Sequence, residues 1–173
     1  MTAIIDTGIF FAYYSLRDVH HLDSLAILVH ALEGKWGKPY ITNHILDETL
    51  TILKYRISPA TAKAFAEALI ESKAIQVVHV DEEMERKALE LFKQNINRKG
   101  FSYTDATTAA TLRELNIKTL LTYDARSFQN LVGNIVGPNY WQTLPKAEKQ
   151  RILELAEKHA GGMVNIKKES EEL

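Results

Sequence analysis

The chain has 173 residues, is 46% hydrophobic and sets 21 Lys and Arg against 22 Asp and Glu, a formal net charge of -1. That length suits one ordinary domain and the composition excludes a disordered or fibrous chain, while the near-neutral balance neither demands nor excludes a nucleic-acid partner. The absence of Cys excludes disulfides and thiolate metal sites, and with no basic leader or apolar run of about 18 residues the chain reads as soluble, cytoplasmic and without a membrane span.

Ala3–Asp6 is a short apolar run that stops at a polar residue, the pattern of a strand. After Gly8 the spacing turns helical through Ile9–Tyr14. Leu22, Leu25, Ala26, Val29 and Leu32 then recur at helical spacing, with Gly34 placed as a C-cap. Pro39–Ile41 reads as a brief strand, and a helix follows from Thr42 to about Arg56 with Ile45, Leu46, Thr49, Leu50 and Leu53 on its inner side. Ser58-Pro59 supplies an N-cap and first-turn pair for an alanine-rich helix to about Glu71. The apolar sides of the second and fourth helices face either the core or a second copy in a homodimer.

Ala74–Val80 is rich in β-branched residues and reads as a strand, and Asp81 caps a helix with an acidic first turn that runs until Gly100 breaks the pattern. Ser102 through Asp105 opens an Ala- and Thr-rich helix in capping-box style, ending near Leu115-Asn116. Thr119–Tyr123 is the next strand, followed by a short helix around Ala125–Leu131 and a last strand near Ile135-Val136. A final helix spans Thr143–His159, with Pro145 near its start, Gly161-Gly162 after its end and a charged tail from Lys167. Residues 1–142 thus form the main unit, and 143–173 a C-terminal helix and tail packed on it or extending it.

Short apolar strands separated by helices specify an α/β chain with a mainly parallel sheet, whose strand C-termini gather on one edge. Four carboxylates map to that edge. Asp6 and Asp124 end strands, Asp105 lies in the first turn of a helix, and Glu48 lies in the second turn of another. Each alone has an ordinary reading as a cap, an Asx-turn or a solvated residue. Together they would repel one another unless a cation neutralised them, and a hard divalent ion with carboxylate and water ligands suits a chain without Cys. Asn43 reads as a helix cap or a phosphate contact. His20-His21 has a solvated or helix-start role, since consecutive residues do not share a helix face. Arg17, Lys35, Lys38, Lys54 and Arg56 are surface cations with the chemistry for phosphate contacts.

The segments IIDTGIF, ILDETLTIL and YTDATTAATLRELNIKTLLTYDARSF also carry a resemblance, over roughly residues 3 to 140, to the PIN-domain nucleases, which include the VapC toxins. The resemblance implies a three-layer α/β/α sandwich and puts Asp6, Glu48, Asp105 and Asp124 at the four acidic positions of an Mg²⁺ or Mn²⁺ site. Thr7 and Thr122 match the hydroxyl residues beside the first and last acids, and Phe128 the apolar residue behind the last loop. Asp47, next to Glu48, points about 100° away and is not expected to be an equal ligand. The implied activity is a metal-dependent endoribonuclease giving a 5′-phosphate and a 3′-hydroxyl, either an RNA-processing enzyme or a toxin with an antitoxin partner. RNA is the expected substrate, with Asn43, Arg17 and Lys54 as candidate contacts. The competing readings are a catalytically weak RNA-binding or protein-interaction module and a DNA-directed nuclease. The helix over 143–159 departs from the compact toxin pattern.

Overall fold

The computed structural model describes residues 2–160. Five short strands, β1 (Thr2–Ile5), β2 (Lys38–Thr42), β3 (Gln76–Val78), β4 (Thr119–Leu121) and β5 (Asn134–Val136), form one sheet in the order β3-β2-β1-β4-β5, every neighbouring pair parallel. Ile4 of β1 pairs with Tyr40 of β2 on one side and Leu120 of β4 on the other. The central strand is accordingly apolar throughout its buried length, with Ala3, Ile4 and Ile5 at most 1% exposed. The chain moves outward from β1 to β3 and then returns to the other side of β1. That reversal makes the β1–β4 boundary the topological switch point of the sheet, where open α/β sheets leave a crevice.

The helices are α1 (Thr7–Tyr14), α2 (His21–Leu32), α3 (Asn43–Arg56), α4 (Pro59–Phe65, continuing as a π-helical turn over Ala66–Glu71), α5 (Glu82–Gln94), α6 (Tyr103–Glu114) and α7 (Lys146–Ala160). α1 packs on α2 and α3, α3 on α4, and α5 on α6. Right-handed crossovers put the first set on one face of the sheet and the second on the other, the expected α/β/α sandwich. The main core contains Phe10 and Phe65 edge-on at 4.9 Å, with Phe128 also fully buried. A satellite cluster joins Leu25 and Ala26 of α2 to Ile152, Leu153 and Ala156 of α7. The inner side of α2 therefore serves the core and α7, with Leu32 left 45% exposed at its end.

Caps read from the sequence are present as hydrogen bonds. Ser58 accepts from Thr61 N, Asp81 from Met84 N, and Ser102 exchanges bonds with Asp105 in a full capping box. Gly34 adopts φ +82°, the left-handed conformation that follows a helix end.

Several expectations need correction. The helix after Pro59 does not stay α-helical to Glu71. The Ser72 hydroxyl takes the carbonyl of Ala68 at 2.6 Å, and the Ser72 N–H reaches back one further to Glu67, which widens the turn to the π form. Residues 125–131 form successive turns instead of a helix, closed by three-residue bonds from Gln129 to Arg126 and from Leu131 to Phe128 and ended by Asn130 at φ +66°. α5 stops at Gln94, well before Gly100, where Asn95 folds its amide back onto the Leu91 carbonyl. The last helix starts at Lys146; Trp141–Thr143 is a separate 3₁₀ turn. Thr42, not Asn43, caps α3, accepting from Ile45 N at 3.1 Å. His20 and His21 do stand at a helix start, but His21 is buried with Nδ1 on the Ala12 carbonyl instead of solvated. Gly161-Gly162 and the tail from Lys167 lie outside the described residues.

Candidate metal centre

Asp6 follows β1 and is the N-cap of α1, where its Oδ1 accepts from Thr7 N at 2.8 Å and the positive end of the helix dipole favours a carboxylate. Across the switch point, fully buried Thr122 leaves β4 and aims its hydroxyl at Asp6, donating to Oδ2 at 2.6 Å. The same hydroxyl accepts from Asp124 N at 3.0 Å. One side chain thus ties Asp6, just past β1, to the backbone of Asp124, three residues past the end of β4. Asp124 is gripped in turn by Ser127, whose backbone N–H donates to Oδ1 and whose hydroxyl donates to Oδ2. Phe128, the next residue, is buried behind this loop.

The other two acids come from helices. Thr7 donates its hydroxyl to Glu48 Oε2 at 2.6 Å, which turns an otherwise exposed side chain of α3 toward the start of α1. Asp47 is exposed, and its side chain makes no hydrogen bond among the described residues. Asp105 Oδ2 accepts from Ser102 N at 2.6 Å and from the Ser102 hydroxyl at 2.8 Å.

Two of these carboxyls are raised from their ordinary range, in part by the charge of other acids. The Asp6 carboxyl is pushed up to about 7, first because burial removes water from its charged form and further by the charges of Asp105 and Glu48. The hydrogen bonds from Thr122 and Thr7 oppose that rise. The Asp105 carboxyl is also raised, chiefly by burial, then by Asp124 and Glu48, against the two Ser102 bonds. No Lys, Arg or His forms an ion pair with any of the four acids among the described residues.

Hard oxygen donors without a cationic partner fit a hard divalent ion. They do not form a closed cage: among the described residues no three His, Asp or Glu side chains stand close enough together to hold an ion unaided. Mg²⁺ is commonly held by one or two carboxylates while it keeps several waters, so this spacing suits an ion bound partly through water.

The remaining candidates are more dispersed. Asn43 Oδ1 is engaged by Val80 N at 2.8 Å, so it ties α3 to the segment leading into α5. Arg17 is exposed in the turn before α2, close in sequence to His20, whose ring stacks on Tyr123 at 4.2 Å. Lys54 is exposed on α3, six residues past Glu48, and lies over the Tyr55 ring. Lys35 donates to the Tyr140 hydroxyl, and Lys38 opens β2 at the edge of the sheet opposite the acids. Sequence reasoning missed the grip of Ser127 on Asp124, although Asp-x-x-Ser after a strand is a recognisable turn signal.

A family model described as PIN domain matches residues 3–134. A VapC ribonuclease of Archaeoglobus fulgidus is 52% identical over 152 residues, covering 88% of this chain and 93% of the relative. Among solved structures, VapC20 of Mycobacterium tuberculosis, described as a toxin that cleaves the sarcin–ricin loop, superposes with a TM-score of 0.63 at 26% identity over 74% of this chain and 94% of the other. FitAB bound to a DNA fragment superposes with a TM-score of 0.58 at 18% identity over 83% of this chain and 99% of the other, a likeness of fold alone.

Proposed function

Because the chain belongs to the PIN domain family, we propose that it is a divalent-metal-dependent endoribonuclease of the VapC kind. The observation that carries this reading is that Asp6, at the β1–β4 switch point, is linked through the Thr122 hydroxyl to the Asp124 backbone and feels the charges of Asp105 and Glu48, with no cationic partner among the described residues. The 52% identity to a VapC ribonuclease supports the reaction class.

Asp6, Glu48, Asp105 and Asp124 would hold Mg²⁺ or Mn²⁺, directly or through water. When bound, the ion supplies Lewis acidity toward a phosphodiester and lowers the pKa of a water molecule. The reaction is hydrolysis: the water oxygen bonds to phosphorus, the 3′-oxygen departs and takes a proton, and the products are a 5′-phosphate and a 3′-hydroxyl. The protein's share is orientation. Thr122 fixes Asp6 against Asp124, Thr7 fixes Glu48, and Ser102 and Ser127 fix the remaining two acids. With its carboxyl pushed up to about 7, Asp6 holds a proton through part of the neutral range, which it would give up to hold a cation.

Single-stranded or looped RNA is the proposed substrate class, since exposed bases and a flexible backbone can enter an open edge; the loop-cleaving description of VapC20 supports it. The likeness to proteins named VapC, one of them described as a toxin, supports a toxin role with a small antitoxin as partner. An apolar groove of about 580 Å³ lined by Tyr13, Tyr14, Leu28, Leu32 and Leu69 is suited to a protein segment. No helix among the described residues is long and apolar enough to cross a membrane.

The test compares cleavage of defined RNAs, with matched DNAs in parallel, by the wild type with Mn²⁺, the wild type with EDTA, and Asp6→Asn with Mn²⁺. Cleavage of RNA in the first condition alone is expected. Equal cleavage in all three sinks the mechanism, and preferential cleavage of DNA sinks the substrate class.

A further inference from the structure

Asp6 and Asp124 have a direct tie in Thr122; among the described residues the two helix-borne acids have no comparable tie to each other. What lies between their helices is Glu85, in the first turn of α5. Its Oε1 pairs with His44 Nε2 at 2.7 Å, and its Oε2 accepts from the Tyr103 hydroxyl. His44 is the second residue of α3, one helical turn before Glu48 and on the same face. Tyr103 is the first residue of α6, two before Asp105. A single carboxylate therefore joins the first turns of the two helices that carry Glu48 and Asp105.

Packing holds this link in register. The His44 and Tyr103 rings meet edge-on at 5.9 Å, and Phe92 backs Tyr103 at 5.8 Å. The bond from Val80 N to Asn43 anchors the start of α3 to the segment entering α5. Hydrogen bonding from Tyr103, with that from His44, holds the Glu85 carboxyl below its usual range, so it acts as an acceptor toward both partners. Glu85 lies outside the set of acids assigned to the ion.

We infer that Glu85 is a positioning residue, which sets the separation of Glu48 from Asp105 by bridging His44 on α3 and Tyr103 on α6. The inference rests on the metal-nuclease reading. Partners that orient metal-bound groups from behind affect metal affinity by roughly 10–100-fold, and Glu85 acts one residue further back, through the helices themselves.

A second bridge between α5 and α6 provides the control. Glu114 of α6 pairs with Lys87 of α5, and both stand away from the acids. The experiment measures Mn²⁺ affinity calorimetrically, with thermal unfolding alongside, for the wild type, Glu85→Ala, Glu85→Gln and Glu114→Ala. Glu85→Ala is expected to weaken Mn²⁺ binding roughly tenfold or more and to lower kcat with little change in KM for RNA. Glu85→Gln, which still accepts from Tyr103 and donates to His44, restores most of the affinity. Glu114→Ala leaves it unchanged. Should Glu85→Ala fail to fold, Tyr103→Phe, which keeps the ring and removes one arm of the bridge, is expected to weaken binding several-fold. Wild-type affinity in the Glu85→Ala or Tyr103→Phe protein, or an equal loss in Glu114→Ala, overturns the inference while leaving the nuclease reading intact. A wild type that neither binds Mn²⁺ nor cleaves RNA overturns the nuclease reading and the inference together.

Discussion

Thr122→Val removes the hydroxyl that ties Asp6 to Asp124 while keeping the shape of a fully buried side chain. A hydrogen bond to an ionised carboxylate contributes about 1.5–3 kcal/mol, and about 1.4 kcal/mol corresponds to one pH unit of proton affinity. The Asp6 carboxyl, already pushed up to about 7, should therefore titrate about one to two pH units higher in the variant. At pH 7 the metal-free wild type has about half of its Asp6 ionised and the variant about a tenth or less. Since an ion must displace that proton, apparent affinity for Mg²⁺ should fall about fivefold or more at pH 7 and recover toward pH 9. Calorimetric titration between pH 6 and pH 9 reads both effects. Thr122→Ser keeps the hydroxyl and should follow the wild-type profile. A valine variant that tracks the wild type throughout, or a serine variant that falls with the valine, refutes the assignment of the effect to this hydroxyl.

Asp6→Asn should abolish cleavage yet stabilise the metal-free protein above neutral pH. Because Asp6 holds its proton to about pH 7 in the folded chain against the ordinary 3.8, the folded state binds more protons between those values and loses stability as pH rises through them, by up to about 4 kcal/mol. Chemical denaturation of metal-free protein from pH 4 to pH 8 should show that slope in the wild type and its loss in the variant. Gly137→Ala would put a Cβ 1.9 Å from the Thr122 carbonyl oxygen. It should therefore cost cleavage activity as well as stability, and an alanine variant with wild-type kcat would show that the contact relaxes harmlessly. Ile152→Ala empties part of the contact between α2 and α7 at a fully buried position and should cost about 2–5 kcal/mol, with cleavage per folded molecule unchanged; denaturant melts and active-site titration separate the two.

The parts legible in the sequence were those decided locally. Ser58-Pro59, Asp81 and Ser102 announce helix starts because each satisfies backbone donors within three residues, and the run Ala3–Ile5 announces a doubly covered strand because nothing polar interrupts it. The placement of Asp6 directly after β1 followed from the same patterns, whereas β4 ends at Leu121 and leaves Asp124 in the loop beyond it. What was not legible depended on competition for one atom or on contact between distant segments. The π-helical turn exists because the Ser72 hydroxyl takes a carbonyl that the backbone would otherwise use, and helical spacing alone cannot show which donor wins. Residues 125–131 have helix-compatible composition, yet Asp124 and Ser127 close a tighter turn first. Asn43 and Thr42 are both good caps, and only the fold reveals that Val80 claims Asn43. The bridge through Glu85 links residues 41 and 18 positions apart, a separation over which periodicity carries no information.

Asp23 bears on where a working fragment of this protein could be cut. Its buried carboxylate accepts from Asn139 N at 3.1 Å and Trp141 N at 2.8 Å, and shares its second oxygen with the His20 ring that stacks on Tyr123 beside Asp124. A chain ended at residue 134, where the match to the family model stops, would contain all four acids and still lack both amides that satisfy this charge. Burial of a carboxylate without its donors costs several kcal/mol, and the oxygen that Asn139 N shares with the His20 ring would keep the ring alone. A fragment that keeps both amides on Asp23 thus extends at least through Trp141, beyond the span that the family model matches.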